Sequence, residues 1–388
     1  METKNALKGV HVEFHILQSF PVSCLNRDDL GAPKTAIVGG VTRARVSSQA
    51  WKRSVRMALK NIQQEHGKIK CGTRTKLIGD LISNECKKLG ATEEQAKSCG
   101  ERVELAFVKE GSADTKQDTL MFMSPSEINI VAEKFRSVGF VPDEILKVKE
   151  KKTENNGKKS DKNDLAKDFA KILCVKDRKE HIDAIDIALF GRMVAKAAEM
   201  NLEGAAAFSH AISTHQVDNE IDYFTALDDN AQDQGSSHIG TNEFNSATYY
   251  RYIDLDLGQL LETLGESYVK DSVEAFVIAL YTALPAARQS TMSAASPWGF
   301  AKILVRKGQK IQVPFESPVP RLAEGGYYEK SKERLIKFLS LQKRSQGKLY
   351  GQLLELTYDG ESEEFEPIDN IIEKLKSFVS NQIGEKNE

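Results

Sequence analysis

The stretch Thr42–Lys60, TRARVSSQAWKRSVRMALK, changes its period in the middle. From Thr42 to Val46 the residues alternate, Arg43 and Arg45 on one side and Ala44 and Val46 on the other, which is the repeat of a strand. After Ser47 and Ser48, two N-cap residue types, the repeat becomes helical. Trp51, Val55 and Ala58 then form an apolar stripe, and Lys52, Arg56 and Lys60 recur every four residues on another face. A strand running directly into an amphipathic helix predicts a chain that mixes sheet and helix rather than using either alone.

Working outward, residues 9–17 alternate with Val10, Val12, Phe14 and Ile16 on one face and His11, Glu13 and His15 on the other, predicting a half-buried first strand. Ser19–Gly40 reads as a long loop, punctuated by Pro21, Asn26, Asp28, Asp29, Gly31, Pro33, Gly39 and Gly40. Residues 65–142 carry helical patterns, for example Thr75–Leu89 and Thr92–Lys109. Lys147–Lys167 is Lys-rich with almost no large apolar side chain, so a mobile solvated loop is expected there. Sheet patterning returns in Ser246–Leu255, followed by helices near Leu257–Leu264 and Val273–Leu284, a strand near Lys302–Arg306 and a final helix near Ile368–Gln382. The expected architecture is α+β, with a sheet domain made of residues 1–64 and 182–388 and interrupted by a helical insertion at 65–181.

Composition narrows the function. The 388 residues are 40% hydrophobic and 28% charged, an ordinary globular balance, and no apolar run approaches the roughly 20 residues of a membrane span. No signal-peptide core precedes the first strand, so a cytoplasmic protein is expected. The five cysteines, Cys24, Cys71, Cys86, Cys99 and Cys174, have no C-x-x-C spacing and suggest neither disulfides nor a thiolate metal site. Net charge is only −2, but it is sorted along the chain. Leu30–Gln64 holds seven basic residues and no acidic one, whereas Leu349–Glu373 holds eight acidic residues and no basic one. A neutral chain with one concentrated basic block predicts a local anion-binding surface.

Enzyme motifs are missing: there is no Walker loop, no GxGxxG, no GxSxG and no HExxH. Ser48 and Lys52 have S-x-x-x-K spacing, not the S-x-x-K of a Ser/Lys hydrolase. His210, His215 and His238 match no zinc pattern, and Asp228–Gly235 (DDNAQDQG) lacks the Gly and the closing Glu of a calcium loop. Asp28 and Asp29 leave two readings open, turn-formers beside Arg27 or a pair holding Mg²⁺ for phosphodiester cleavage. No cofactor or metal is otherwise expected. The strand-and-helix basic face, with Ser47 and Ser48 at the helix start, suits a phosphate backbone.

The same residues carry a resemblance. Ser23–Arg56 (SCLNRDDLGAPKTAIVGGVTRARVSSQAWKRSVR) closely resembles the signature of the type I-E CRISPR Cascade backbone subunit, the CasC family: S-C-L-N-R-D-D, then K-x-A-I-x-G-G, then R-x-R-(V or I)-S-S-Q-x-x-K-R-x-x-R. Asp186–Ala195 (DIALFGRMVA) and Ser209–Tyr252, with its SHAISTHQVDNEIDYFTALDD and QGSSHIGTNEFNSATYYRY stretches, are similar to the same family in the same order. The sequence departs from that pattern at Val41 and Thr42, where basic residues often stand, and in the expanded 147–167 stretch.

The resemblance implies a non-catalytic crRNA-binding subunit with an RRM-like (ferredoxin-like) palm, helical fingers and a thumb hairpin at about 205–240. Copies would polymerise head to tail along one guide RNA as a helical filament and present it for pairing with target DNA, beside the large, small, cap and crRNA-processing subunits of Cascade. Carried onto this chain, the RNA-contacting positions are Arg27, Lys34, Gln49, Lys52, Arg53 and Arg56, joined by Arg43 and Arg45 of the basic strand. Met193 has two readings, a base contact or core packing. Phe224 likewise reads as the wedge at a kinked nucleotide or as a buried anchor beneath the thumb. Arg43 and Arg45 could instead pair with the acidic C-terminal block of a neighbouring copy. A type III-like subunit cleaving target RNA with a metal at Asp28 or Asp29 is the alternative.

Overall fold

The structure, a computed structural model, describes residues 5–107, 120–147, 150–152, 158–160, 162–174, 181–227, 236–362 and 366–384. In chain order these form β1 (His11–Ser23), β2 (Thr35–Val38), β3 (Val41–Val46), α1 (Ser48–His66), β4 (Thr73–Thr75), α2 (Ile78–Lys88), α3 (Glu93–Phe107), β5 (Met121–Met123), α4 (Pro125–Arg136), β6 (Glu150–Lys152) and β7 (Lys158–Ser160). There follow α5 (Lys162–Leu173), α6 (Ile185–Phe190), β8 (Ala206–Phe208), β9 (Ala211–Ser213), β10 (Glu220–Leu227), β11 (Ser236–Asp256), α7 (Leu257–Leu264), α8 (Glu266–Thr282), β12 (Phe300–Arg306), α9 (Tyr328–Gln346), β13 (Gln352–Asp359) and α10 (Ile368–Gly384). The fold is α+β, and the strand pairs are antiparallel. Two compact units divide it: Met1–Ile62, Ala206–Gly258 and Val273–Glu388 form one, Gln63–Ala205 and Gln259–Ser272 the other.

The first unit is built on a sheet of order β13-β12-β1-β11-β9-β3-β2, with β8 and β10 also paired to β11. β1 lies between β11 and β12, so His11 stands opposite both Asp256 and Arg306. The expectation of a half-buried strand is corrected here, because Val12–Leu17 are all buried. On one face Phe14 meets Phe276 of α8 edge to face at 6.2 Å. On the other, Leu17, Tyr250, Phe300 and Leu304 pack with Val313, Leu335 and Leu339. Glu13 and His15 lie among them as paired polar groups rather than as a wet face. Glu13 Oε1 accepts from Arg306 Nη1 at 2.9 Å and Oε2 from the Ile311 N–H at 3.2 Å. His15 Nδ1 meets the Tyr250 hydroxyl at 2.8 Å, and that hydroxyl accepts the Val313 N–H at 3.1 Å. A polar row is tolerated in a core when its members satisfy one another.

The loop expected over Ser19–Gly40 is shorter than the sequence suggested, since β1 runs to Ser23 and β2 pairs with β3. In α1 the buried stripe is Trp51, Val55, Leu59 and Ile62, with Ala58 half-buried beside it.

In the second unit α2, α3, α4 and α5 enclose a core that includes Ile82, Val103, Phe107, Val131, Phe135 and Phe169. Helix α4 starts at a capping box, Ser124 Oγ accepting from the Glu127 N–H and the Glu127 carboxylate from the Ser124 N–H, with Pro125 in its first turn. The Lys-rich stretch 147–167 is not bare loop where it is described: β6 pairs with β7, and α5 begins at Lys162 and buries Leu165 and Ala166. Residues 148–149, 153–157 and 161 of that stretch lie outside the described residues, as does Asp228–Gly235. No helix among the described residues is long and apolar enough to cross a membrane.

Candidate nucleic-acid interface

The basic block of the sequence is assembled by backbone hydrogen bonds around Asn26. Its carbonyl accepts the Lys34 N–H at 2.8 Å, and its side-chain Oδ1 accepts the Ser47 N–H at 2.9 Å. One residue thus ties the 26–34 loop to the start of α1. Inside the loop Asp28 Oδ1 accepts the N–H groups of Leu30 and Ala32, both at 2.9 Å, the turn-forming use of an Asp side chain. The loop closes with Arg27 bridged to Pro33.

Helix α1 is capped by Ser47, whose Oγ accepts the Ala50 N–H at 3.3 Å, so the serine pair does mark its start. The Ser48 N–H donates to Nδ1 of His210 at 3.1 Å, a partner that the sequence reading had not connected to the helix. Gln49 and Arg53 are exposed, and Lys52 and Arg56 are half-buried. The Lys52 ammonium sits 5.7 Å from the Phe208 ring centre, and burial lowers its pKa from the ordinary lysine value. Arg27 is exposed and Lys34 half-buried. Among the described residues none of Arg27, Lys34, Lys52 and Arg53 is within salt-bridge distance of a carboxylate. Cations without carboxylate partners among the described residues, mounted on a pinned loop and a capped helix, can take the phosphates of a polyanion.

Arg43 is a correction. It is fully buried, and its guanidinium donates to the carbonyls of Ser213 at 2.8 Å, Phe315 at 3.1 Å and Glu316 at 2.9 Å. It fastens β3 to β9 and to the 315–316 segment, so it faces neither RNA nor a neighbouring copy. Arg45 is half-buried and donates through Nε to the Thr35 carbonyl at 3.2 Å. Several carboxylates of the acidic C-terminal block are paired inside their own chain. Glu355 pairs with Lys302 at 2.6 Å and Lys343 at 3.2 Å, Asp359 with Lys332 at 2.6 Å, and Glu366 with Lys374.

The 205–240 region holds β8, β9 and the hairpin β10–β11. Phe224 stands opposite Gly240, and a β-carbon on that glycine would lie 2.5 Å from the ring, so the ring lies across the position. The other face carries Ile221 and Tyr223, 70% and 62% exposed; Phe224 itself is 38% exposed. The buried-anchor reading of Phe224 is therefore set aside in favour of an aromatic carried on the hairpin surface. The hairpin root is fixed by Asn219, whose Nδ2 donates to Glu243 at 3.2 Å and to the Pro33 carbonyl of the basic loop at 3.4 Å. Behind it His215 is stacked 3.7 Å from Tyr327, with Nδ1 donating to the Gln216 carbonyl and Nε2 accepting the Thr248 N–H. This bonding needs a neutral ring, and burial lowers its pKa accordingly.

Met193, in the second unit, is 82% exposed. Core packing is excluded for it, and it presents a bare thioether beside the buried Arg192, which bonds Glu127 at 2.7 Å. No three His, Cys, Asp or Glu side chains converge as a metal site among the described residues.

Residues 12–379 match the model of a family described as CT1975-like protein. Among solved structures, the chain is similar to a subunit titled "CRISPR RNA-guided surveillance complex, pre-nicking". The TM-score is 0.71 at 24% identity, over 95% of this chain and 100% of that one. A second, titled "CRISPR RNA-guided surveillance complex", gives a TM-score of 0.64 at 21% identity, over 95% and 99%. Both likenesses are of fold. No curated protein matches the chain.

Proposed function

The chain belongs to the Cas family of CT1975-like proteins, and from that premise we propose that it is a non-catalytic crRNA-binding backbone subunit of a type I-E Cascade surveillance complex. The sheet of the first unit serves as an RRM-like palm, the helical second unit as fingers and the β10–β11 hairpin as a thumb. Copies of the chain line up head to tail along one guide RNA, meet the other Cascade subunits, and leave the guide open for pairing with target DNA.

The observation that carries this reading is the row of cations without carboxylate partners among the described residues, Arg27, Lys34, Lys52 and Arg53, on a loop and a helix that Asn26 fastens together. Gln49, Arg45 and Arg56 border it. Beside it the hairpin exposes Tyr223 and Phe224, the kind of rings on which unstacked bases settle. Phosphate contacts fix position and carry no sequence, which suits a protein that must accept any guide.

The test is purification of the chain with and without a co-expressed CRISPR array and its operon partners. An RNA-loaded multimer holding one discrete small RNA is expected only with the array. The double variant Lys52→Glu, Arg53→Glu should fold as the parent does and lose that RNA. An RNA-free particle of unchanged mass in both preparations would sink the reading. Mg²⁺-dependent cleavage of a complementary RNA that disappears in Asp29→Ala would replace it with the nuclease alternative.

A further inference from the structure

Arg288 lies in the Ala/Ser-rich loop that follows α8, outside every motif of the sequence. Its backbone is in the left-handed region, φ +49°, where a residue with a side chain is uncommon and strained. The strain is held by several bonds. The Arg288 carbonyl accepts from the N–H groups of Thr291 at 3.1 Å and Met292 at 2.7 Å and from the Thr291 hydroxyl at 3.2 Å. Gln289 braces the same loop, donating to the Pro285 carbonyl at 2.8 Å and accepting the Ala294 N–H at 3.1 Å.

What this loop holds in place is a guanidinium. Arg288 Nη1 donates to Asn242 Oδ1 on β11 of the hairpin. Nη2 reaches to 3.6 Å from where a β-carbon on Gly31 would stand. Arg27 and Arg288 line one open cleft of about 640 Å³ together with Asn26, Asp28, Asp29 and Gly31. Both guanidiniums also act on the Cys24 thiol beneath, offsetting part of the upward pull that burial exerts on its pKa. Neither is in salt-bridge contact with a carboxylate among the described residues, although two aspartates belong to the cleft; Asp28 is turned into its own loop.

We propose that Arg288 and Arg27 form a two-guanidinium seat for one backbone phosphate of the bound RNA, at the junction of the basic loop and the root of the hairpin. The inference rests on the RNA-binding reading above and names a contact which that reading does not contain. Two planar forks facing one cleft suit a phosphate diester better than lysines would. Asp28 and Asp29 keep the cleft's net charge low, so free inorganic phosphate is a poor ligand. The fitting occupant is a strand already held by the cations of α1.

The experiment titrates the full chain with a fluorescein-labelled oligouridylate across a range of KCl concentrations, with inorganic phosphate as a competitor. Arg288→Gln should weaken binding about fivefold at ~0.15 M salt, the effect of one lost charge-assisted contact. It should also lower the slope of log affinity against log salt by about 0.7, the increment of one single-strand phosphate. Arg288→Gly removes the backbone strain and should melt no lower than the parent, yet lose the same affinity; millimolar phosphate should compete weakly. Parental affinity and slope in both Arg288 variants, while Lys52→Glu still loses RNA, would overturn this inference alone. So would a loss of affinity accompanied by a lower melting temperature in both Arg288 variants, which would mark Arg288 as structural. Equal, negligible binding by the parent and by Lys52→Glu would overturn the RNA-binding reading itself, and the seat with it.

Discussion

Four arginines are buried among the described residues, and their partners sort them into two kinds. Arg306 and Arg192 each meet a buried carboxylate, Glu13 at 2.9 Å and Glu127 at 2.7 Å. Arg43 and Arg251 meet carbonyl and amide oxygens instead. Arg251 stacks 3.6 Å from the Trp51 ring centre and donates to Gln18 Oε1 at 2.6 Å; burial pulls its pKa down to about 9. The distinction predicts unequal costs. Glu13→Ala leaves the Arg306 charge buried without its counterion and also frees the Ile311 N–H, so it should cost about 3–5 kcal/mol in urea denaturation. Arg251→Met strands no opposite charge and loses chiefly the bond to Gln18, so about 1–2 kcal/mol is expected. Equal losses in the two variants would show that the ion pair is not what sets the cost.

At the level of elements the hairpin β10–β11 offers the sharpest test, because its site position is a glycine. Gly240→Val places a branched side chain where the Phe224 ring now lies. The ring must swing away, and since the hairpin surface is largely exposed the thermal midpoint should move little, by no more than about 1 kcal/mol of stability. Retention of guide RNA on co-purification should fall nonetheless. Unchanged RNA content with a displaced ring would remove Phe224 from the interface. The elements themselves were unequally legible in the sequence. β1, α1, α7 and β12 follow from period and caps because each has a clean apolar repeat. The side facing water was misjudged for β1, since alternation reports two chemically different faces and cannot say that Glu13 and His15 have buried partners near residues 250 and 306. Helix α9 went unread because its buried residues are only Ser331, Leu335 and Leu339, a stripe too narrow to stand out in a charged segment. β13 lay hidden in an acidic stretch whose charges are matched by lysines from β12 and α9. The α1 cations of the candidate site were visible as a local charge run. Arg288 was not, because its partner Asn242 is 46 residues away and its backbone strain leaves no trace in residue type.

For the molecule as a whole, a net charge of −2 conceals a division of labour. Glu355, Asp359 and Glu366 of the acidic block are paired within the chain, while Arg27, Lys34, Lys52 and Arg53 have no carboxylate partner among the described residues, so association with RNA should be strongly salt-dependent even though the protein is nearly neutral. Titration of histidines gives stability a direction in pH. His15 and His215 are held below the ordinary value of 6.5 chiefly by burial, His215 with its Nε2 already accepting the Thr248 N–H. Below 6.5 the unfolded chain binds protons that these two folded rings refuse, so their contribution is full above 6.5 and declines as pH falls through their folded values. His11 works the other way. Its bond to Asp254 raises its pKa, so its contribution is full below 6.5 and is lost as pH rises through the raised value. With two rings against one, and with His11 the more exposed, the melting temperature should fall as pH is lowered from 6.5 to 5. His215→Phe preserves the stack on Tyr327 but leaves the Thr248 N–H without its acceptor. It should cost about 1–2 kcal/mol at pH 7 and flatten the acid limb of the profile. A melting temperature that rises on acidification, or a profile that His215→Phe leaves equally steep, would show that these buried rings do not govern the acid response.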